Sequence, residues 1–187
     1  MESGLRGKDA GECHVTALTL CCPLGRVRVS GCENGVHDIQ IQMEATPAAG
    51  GCVVLESPEE TPAAVRLCAD WLQAYFSDPR ATESLPMPAF HHPLLLGETF
   101  TSRVLQTLLR EVKVGQTVSY KRLAEMAGNG RAVRAVGGAM RRNPVPLLVP
   151  CHRVISSSGQ SGSYMGGKGN HLKQWLLVHE RARGVKG

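Results

Sequence analysis

The strictest limit on this chain is set by proline within an apolar run. Asn143-Pro144-Val145-Pro146-Leu147-Leu148-Val149 closes on Pro150-Cys151-His152-Arg153. Proline lacks an N–H and has a locked φ, so it suits neither a helix interior nor a central strand. The run therefore stops the helix before it and leads into a thiol beside an imidazole and a guanidinium. Cysteine attacks as the thiolate, which requires surroundings that lower its pKa from about 8.5. Histidine and arginine are the right neighbours for that. A buried structural cysteine beside a surface histidine accounts for the same four residues equally well.

Charge is divided along the chain. The net charge is +5 over 187 residues. Residues 1–90 hold 6 Lys and Arg against 12 Asp and Glu, residues 101–142 hold 9 against 2, and residues 143–187 hold 6 against 1. A merely solvated surface scatters its charges, whereas this division suggests a polyanion on the basic half. The length suits one large domain or two small ones. No apolar run approaches the ~18 residues of a membrane helix, so no membrane partner is expected. Residues 1–12 lack the apolar core of a signal peptide and read as a disordered tail. Seven cysteines in such a chain suit a reducing compartment, where they serve as ligands, nucleophiles or core residues more often than as disulfides.

The local patterns predict an α+β protein. Residues 15–20, 26–29 and 35–41 read as strands, with turn chemistry at Cys22-Pro23-Leu24-Gly25. Residues 45–58 read as a variable loop. A helix is expected from Thr61 as N-cap and Pro62 at the first position through Phe76, followed by a proline-rich linker over 77–93. The second half reads as mostly helical: 100–113, then 120–127 capped by Ser119 and ended by Gly128, then 131–142 stopped by Pro144, then 170–182. The pair 120–127 and 131–142, joined by a glycine-containing turn, describes a helix-turn-helix. The expected organisation is a tail (1–12), a small antiparallel sheet with a helix (13–92), a mostly helical domain (93–183) and a second tail (184–187).

Two features of the second half bear on chemistry. Gly137 and Gly138 interrupt a predicted helix at about 1 kcal/mol each relative to alanine. Small residues there let another backbone come close, either a neighbouring helix or a nucleic-acid strand, and the basic charge favours the latter. Arg134 projects from this helix. The thiol, for its part, needs a base. His152 cannot readily fold back onto its own neighbour's sulfur, so a water relay is expected, with a carboxylate to orient the imidazole. Glu180 is the only acidic residue after position 125, and its spacing from Leu172 and Leu176 places it on or near the inner face of the last helix. An unpartnered charge at a helix end is the plainer alternative.

Several strings together resemble one family. They are Asn143-Pro144-Val145-Pro146 with Pro150-Cys151-His152-Arg153-Val154, then Arg134-Ala135-Val136-Gly137-Gly138-Ala139-Met140, Ser119-Tyr120, and Trp175-Leu176-Leu177-Val178-His179-Glu180. In order and content they resemble the O6-alkylguanine-DNA alkyltransferases, or methylated-DNA–protein-cysteine methyltransferases, and are most similar to the vertebrate nuclear form. The resemblance spans about Cys13 to Glu180. It implies a DNA repair protein, monomeric and nuclear, with no organic cofactor. Such a protein flips O6-alkylguanine out of duplex DNA and moves the alkyl group irreversibly to its own Cys151, once per molecule.

The same resemblance implies roles for individual residues. His152, oriented by Glu180, takes the thiol proton through water. Tyr120 hydrogen-bonds guanine N3, and Asn143 steadies the segment leading to Cys151. Arg134 fills the gap in the base stack, while Tyr120, Ala132, Ala135, Gly137, Arg141 and Ser157 also meet DNA in the minor groove. Met140, Val154, Tyr164 and Met165 border the alkylguanine pocket. Cys13, Cys32, His37 and His91 hold a structural zinc, and His92 competes with His91 for the fourth place. Spacing alone gives little sign of a metal.

One departure stands out. Met165 occupies a place where the family commonly has serine, and the loop over 159–170 is longer. A thioether donates no hydrogen bond, so Met165 is expected to alter preference among alkyl groups more than to remove activity. Three other classes fit the sequence less well. A non-enzymatic lesion binder would lack Cys151. A transcription regulator would carry a dimerisation or effector element. A thiol hydrolase would turn over.

Overall fold

The computed structural model describes residues 13–43, 51–158 and 169–182. Tyr164, Met165, most of the 159–170 loop and both tails lie outside the described residues.

Strands β1 (Thr16–Cys22), β2 (Gly25–Cys32), β3 (Gly35–Met43) and β4 (Val53–Glu56) form an antiparallel sheet in the order β3-β2-β1-β4. Alternation sorts its faces: Leu18, Leu20, Val27, Val29 and Ile39 are buried, while Arg26, Arg28, Gln40 and Gln42 are exposed. This is the pattern of an antiparallel sheet packed on one side only. Helix α1 (Ala63–Ser77) covers the apolar face with Val65, Cys68, Leu72 and Tyr75. Each fully buried aliphatic side chain there contributes roughly 1.5–3 kcal/mol, and burial pushes the Cys68 thiol pKa well up.

Short α2 (Pro93–Leu96) and α3 (Phe100–Glu111) follow. Then come β5 (Val118–Ser119), α4 (Tyr120–Met126), α5 (Val133–Arg142), β6 (Val154–Ile155) and α6 (Asn170–Ala182). One apolar cluster runs from the sheet through α1 and α3 to Val145–Val149 and α6.

Several expectations need correction. β4 lies inside the segment read as a variable loop; it is a short edge strand, mostly exposed, so it lacks the apolar alternation that marks a half-buried strand. Pro62, not Thr61, occupies the cap position of α1, and the Thr61 hydroxyl donates instead to the Pro58 carbonyl, 2.8 Å away. The 77–93 linker contains a 3-10 turn over Pro79–Ser84. α5 begins at Val133 rather than at residue 131, because Arg131 and Ala132 are held in a turn by Asn129. Cys22 and Cys52 are joined as a disulfide, against the expectation of free thiols. Their pairing could not be anticipated without β4, which brings residue 52 beside the end of β1. Other local expectations hold: the Ser119 hydroxyl accepts from Arg122 N at 2.9 Å to cap α4, and Gly128 follows with φ of 100°.

Candidate active site

A short 3-10 turn, Cys151–Arg153, presents the thiol. Asn143 ties down the run before it from both sides. Its Nδ2 donates to the Val149 carbonyl at 2.8 Å, and its Oδ1 accepts from Val145 N at 3.1 Å. The chain turns sharply at Leu147, the one non-glycine residue with a left-handed backbone among those described (φ 78°), and its side chain is fully buried. Beyond the turn, β6 pairs in parallel with β5, Val154 opposite Val118. That pairing sets Tyr120, the first residue of α4, beside the segment leaving Cys151. Burial, then the nearby Cys151 charge, raises the Tyr120 phenol pKa, while Arg141 opposes.

His152 is wholly buried and Glu180 is 1% exposed. His152 Nε2 lies 2.7 Å from Glu180 Oε1. A carboxylate only accepts, so Nε2 carries the proton and donates. Among the described residues Nδ1 has no partner, so its lone pair remains to take a proton. Burial lowers the imidazole pKa; the Glu180 charge and hydrogen bond oppose this, and Arg153 and Lys173 reinforce it. Burial alone would raise the Glu180 pKa, but His152 and then Arg153 hold it far below the usual carboxylate range. Arg153 Nε donates to Oε1 at 3.1 Å and Oε2 at 3.0 Å, and Nη2 donates to Oε1 at 2.8 Å. Its Nη1 donates to the Val112 carbonyl at 2.9 Å. From α1, the Tyr75 hydroxyl donates to Oε1 at 2.9 Å.

A cavity of about 400 Å³ opens at Cys151, lined by Met140, Arg141, Asn143 and Pro146 and, from β3, by Ile39, Gln40 and Ile41. Volumes of this order accept a small-molecule or base-sized group. Val154 does not line it; that side chain is buried against β5, and its carbonyl accepts from Lys173 Nζ at 2.6 Å. Lys173 is itself fully buried. Burial lowers its pKa to about 8, with the Cys151 charge opposing. The β3 wall, Tyr75 and Lys173 were not foreseen. Nothing local marks residues that become neighbours only through the fold.

On α5, Arg134 and Ala135 are exposed, and Arg141 flanks the cavity mouth. The two glycines face no tight neighbour. A Cβ at Gly137 would come no closer than 3.7 Å to Arg141 Nη1, and one at Gly138 no closer than 3.6 Å to Arg142 Nη2. Tight internal packing therefore does not call for them, and both are half-buried. Ser157 is exposed on the chain after β6, and Ala132 is half-buried at the start of α5.

A second cluster lies on the sheet. The segment at 89–91 runs along Val36, with Val36 N donating to Ala89 O and His91 N to Val36 O, both at 2.8 Å. Gly35 permits this approach: at φ 150°, a Cβ would sit 2.6 Å from the Phe90 carbonyl carbon. The ligand atoms of Cys13, Cys32, His37 and His91 consequently lie within 4.8 Å of one another. Three separations involving Cys32, His37 and His91 are 3.2–3.3 Å, and Cys13 Sγ is 3.4 Å from His91 Nδ1. Zn–N bonds near 2.0 Å and Zn–S bonds near 2.3 Å give a tetrahedron with edges of about 3.3–3.8 Å, so the residues fit that metal. His92 stands apart, its Nδ1 accepting from Leu94 N to cap α2.

The chain is similar to known proteins. Residues 99–182 match the family model described as 6-O-methylguanine DNA methyltransferase, DNA binding domain. The methylated-DNA–protein-cysteine methyltransferase of Mus musculus is 50% identical over 177 residues, covering 91% of this chain and 83% of that protein. Its Homo sapiens counterpart is 48% identical over 178 residues, covering 92% and 83%. A crystal structure of Mycobacterium tuberculosis OGT in complex with DNA is 29% identical, with a TM-score of 0.68, covering 88% of this chain and 92% of that one.

Proposed function

The chain belongs to the methylated-DNA–protein-cysteine methyltransferase family, and we propose that it repairs O6-alkylguanine in DNA by taking the alkyl group onto Cys151. The observation that carries this reading is the buried relay beside the thiol: His152, with Nε2 fixed by Glu180 and Nδ1 left to accept. His152 receives the Cys151 proton through a bridging water. The sulfur attacks the alkyl carbon, the S–C bond forms as the C–O6 bond breaks, and the electron pair leaves with guanine. The Tyr120 hydroxyl hydrogen-bonds guanine N3 and so offsets that charge. A thioether has no route back to the thiol, so each molecule reacts once. Mixed with duplex DNA carrying O6-methylguanine, the protein gains one methyl group in mass; no gain would overturn the reading.

A stacked base cannot reach a buried thiol, so the nucleotide is flipped into the cavity. α4 and α5 serve as the helix-turn-helix, with α5 in the minor groove. The absence of tight packing against Gly137 and Gly138 supports this, since small residues there allow DNA to come close. Arg134 then occupies the place the base leaves. Arg134→Ala slows repair of duplex DNA on the order of a hundredfold, from a few kcal/mol of lost compensation for unstacking. Its rate with free O6-benzylguanine stays at the parent value. Comparable losses on both substrates would remove the flipping role.

Cys13, Cys32, His37 and His91 would hold zinc with no open position, a structural site pinning the 89–91 segment to β3. We place the protein in the nucleus, acting on DNA as a monomer. A metal held at a hundred- to thousandfold excess over Kd stabilises a fold by about 3–4 kcal/mol. Chelation should therefore lower the melting temperature by several degrees. Cys32→Ser should melt like the chelated parent and not respond to chelator. Identical melting of the parent with and without chelator would exclude the metal.

A further inference from the structure

Glu180 draws its hydrogen bonds from two parts of the chain. His152 and Arg153 adjoin the thiol. Tyr75 comes from α1, 105 residues away in sequence, and its hydroxyl reaches the same Oε1 that His152 Nε2 reaches. The ring is held on several sides. It is fully buried, lies parallel to Trp71 with centroids 5.4 Å apart, and meets the His152 ring edge-on at 6.4 Å. The Tyr75 backbone carbonyl accepts from His179 Nε2 at 2.9 Å. A buried phenol needs a hydrogen-bond partner, and the partner here is the carboxylate that orients His152.

We infer that Tyr75 is a positioning residue for the transfer reaction: its hydroxyl shares Oε1 of Glu180 with His152, and so sets how strongly that carboxylate holds the imidazole. A hydrogen bond to a carboxylate spreads its charge. Without the phenol, negative charge concentrates on Oε1, the Nε2–H contact strengthens, and the imidazole binds its proton more tightly. Among the described residues, the charged groups facing His152 are Glu180 and Lys173 from α6, and Arg153 from its own turn. Each stays in place when Tyr75 alone is changed. α1, which packs on the sheet, thereby takes part in the chemistry at Cys151. The inference rests on Cys151 being the alkyl acceptor.

The test is the pH dependence of the reaction with free O6-benzylguanine, which needs no DNA contact. In Tyr75→Phe the acid limb of the rate profile moves to higher pH by roughly half a unit to one unit. Replacing Tyr75 site-specifically with 3-fluorotyrosine, a more acidic phenol of nearly the same shape, moves it the other way. The ring nitrogen shifts of His152, followed by NMR, titrate with the same signs whether or not the variant reacts. A lower melting temperature with both titrations unmoved would make Tyr75 a packing residue and overturn the inference. If the parent does not consume benzylguanine while His152 titrates as described, the acceptor reading fails and with it any role in transfer, leaving only the effect of Tyr75 on the His152 titration.

Discussion

Cys151→Ala takes up no methyl group from duplex DNA carrying O6-methylguanine, at any incubation time. The parent gains one per molecule and then stops. The loss is complete because the relay serves one nucleophile: among the described residues, His152 Nδ1 is its only nitrogen without a partner, and no other thiol lines the cavity at Cys151. Cys21 is exposed on the sheet, and Cys68 is buried beneath it with a raised pKa. The fold should survive. Cys151 is 7% exposed, and trimming one sulfur costs about 1 kcal/mol, the middle of the range for point changes. DNA affinity persists because α5 is untouched. Intact-protein mass and a binding titration on the same sample check both halves. Methylation of the variant at the parent's rate would move the acceptor elsewhere.

Glu180→Gln should damage both stability and chemistry. The amide keeps the shape but removes the charge, stranding the Arg153 guanidinium, which is 5% exposed. Breaking a buried ion pair from one side costs about 3–5 kcal/mol, which for a chain of this size lowers the melting temperature by roughly 6–20 °C. Losing an oriented base slows a reaction by about 10²–10⁴-fold, and the free-benzylguanine rate should fall within that range. The pH dependence has a definite sign. The folded Glu180 pKa is depressed, so the parent's advantage is fully present above the unfolded carboxylate value of about 4.3. It is lost as pH falls below that toward the folded value. The gap between parent and variant melting temperatures should therefore be wide at neutral pH and narrow in strong acid. An unchanged gap would mean that Glu180 does not carry its charge in the folded protein.

Legibility in the sequence followed the range of the interaction involved. The Ser119 cap, the Gly128 stop and the proline run before Cys151 are local, and each was readable because its chemistry lies within a few residues. Glu180 stood out by scarcity in a basic half. β4 escaped because an exposed edge strand has no face to pattern. The proposed zinc ligands were readable only through resemblance: Cys13 and His91 meet after the 89–91 segment docks on Val36, which no spacing announces. Tyr75, Lys173 and the Ile39–Ile41 wall were invisible for the same reason. Each is an ordinary core or strand residue in its own neighbourhood and acquires a role only when distant elements pack.

Leu147 shows where residue identity conceals backbone geometry. Its left-handed φ of 78° favours glycine by roughly 1–2 kcal/mol. Its full burial favours leucine, since truncating such a side chain costs about 2–5 kcal/mol. The larger preference prevails, so the bend that presents the nucleophile is encoded in the alphabet of the core. A reader looking for glycine at sharp turns passes over it. A designer who supplied glycine there would relieve the backbone and open a void in the core four residues before Cys151.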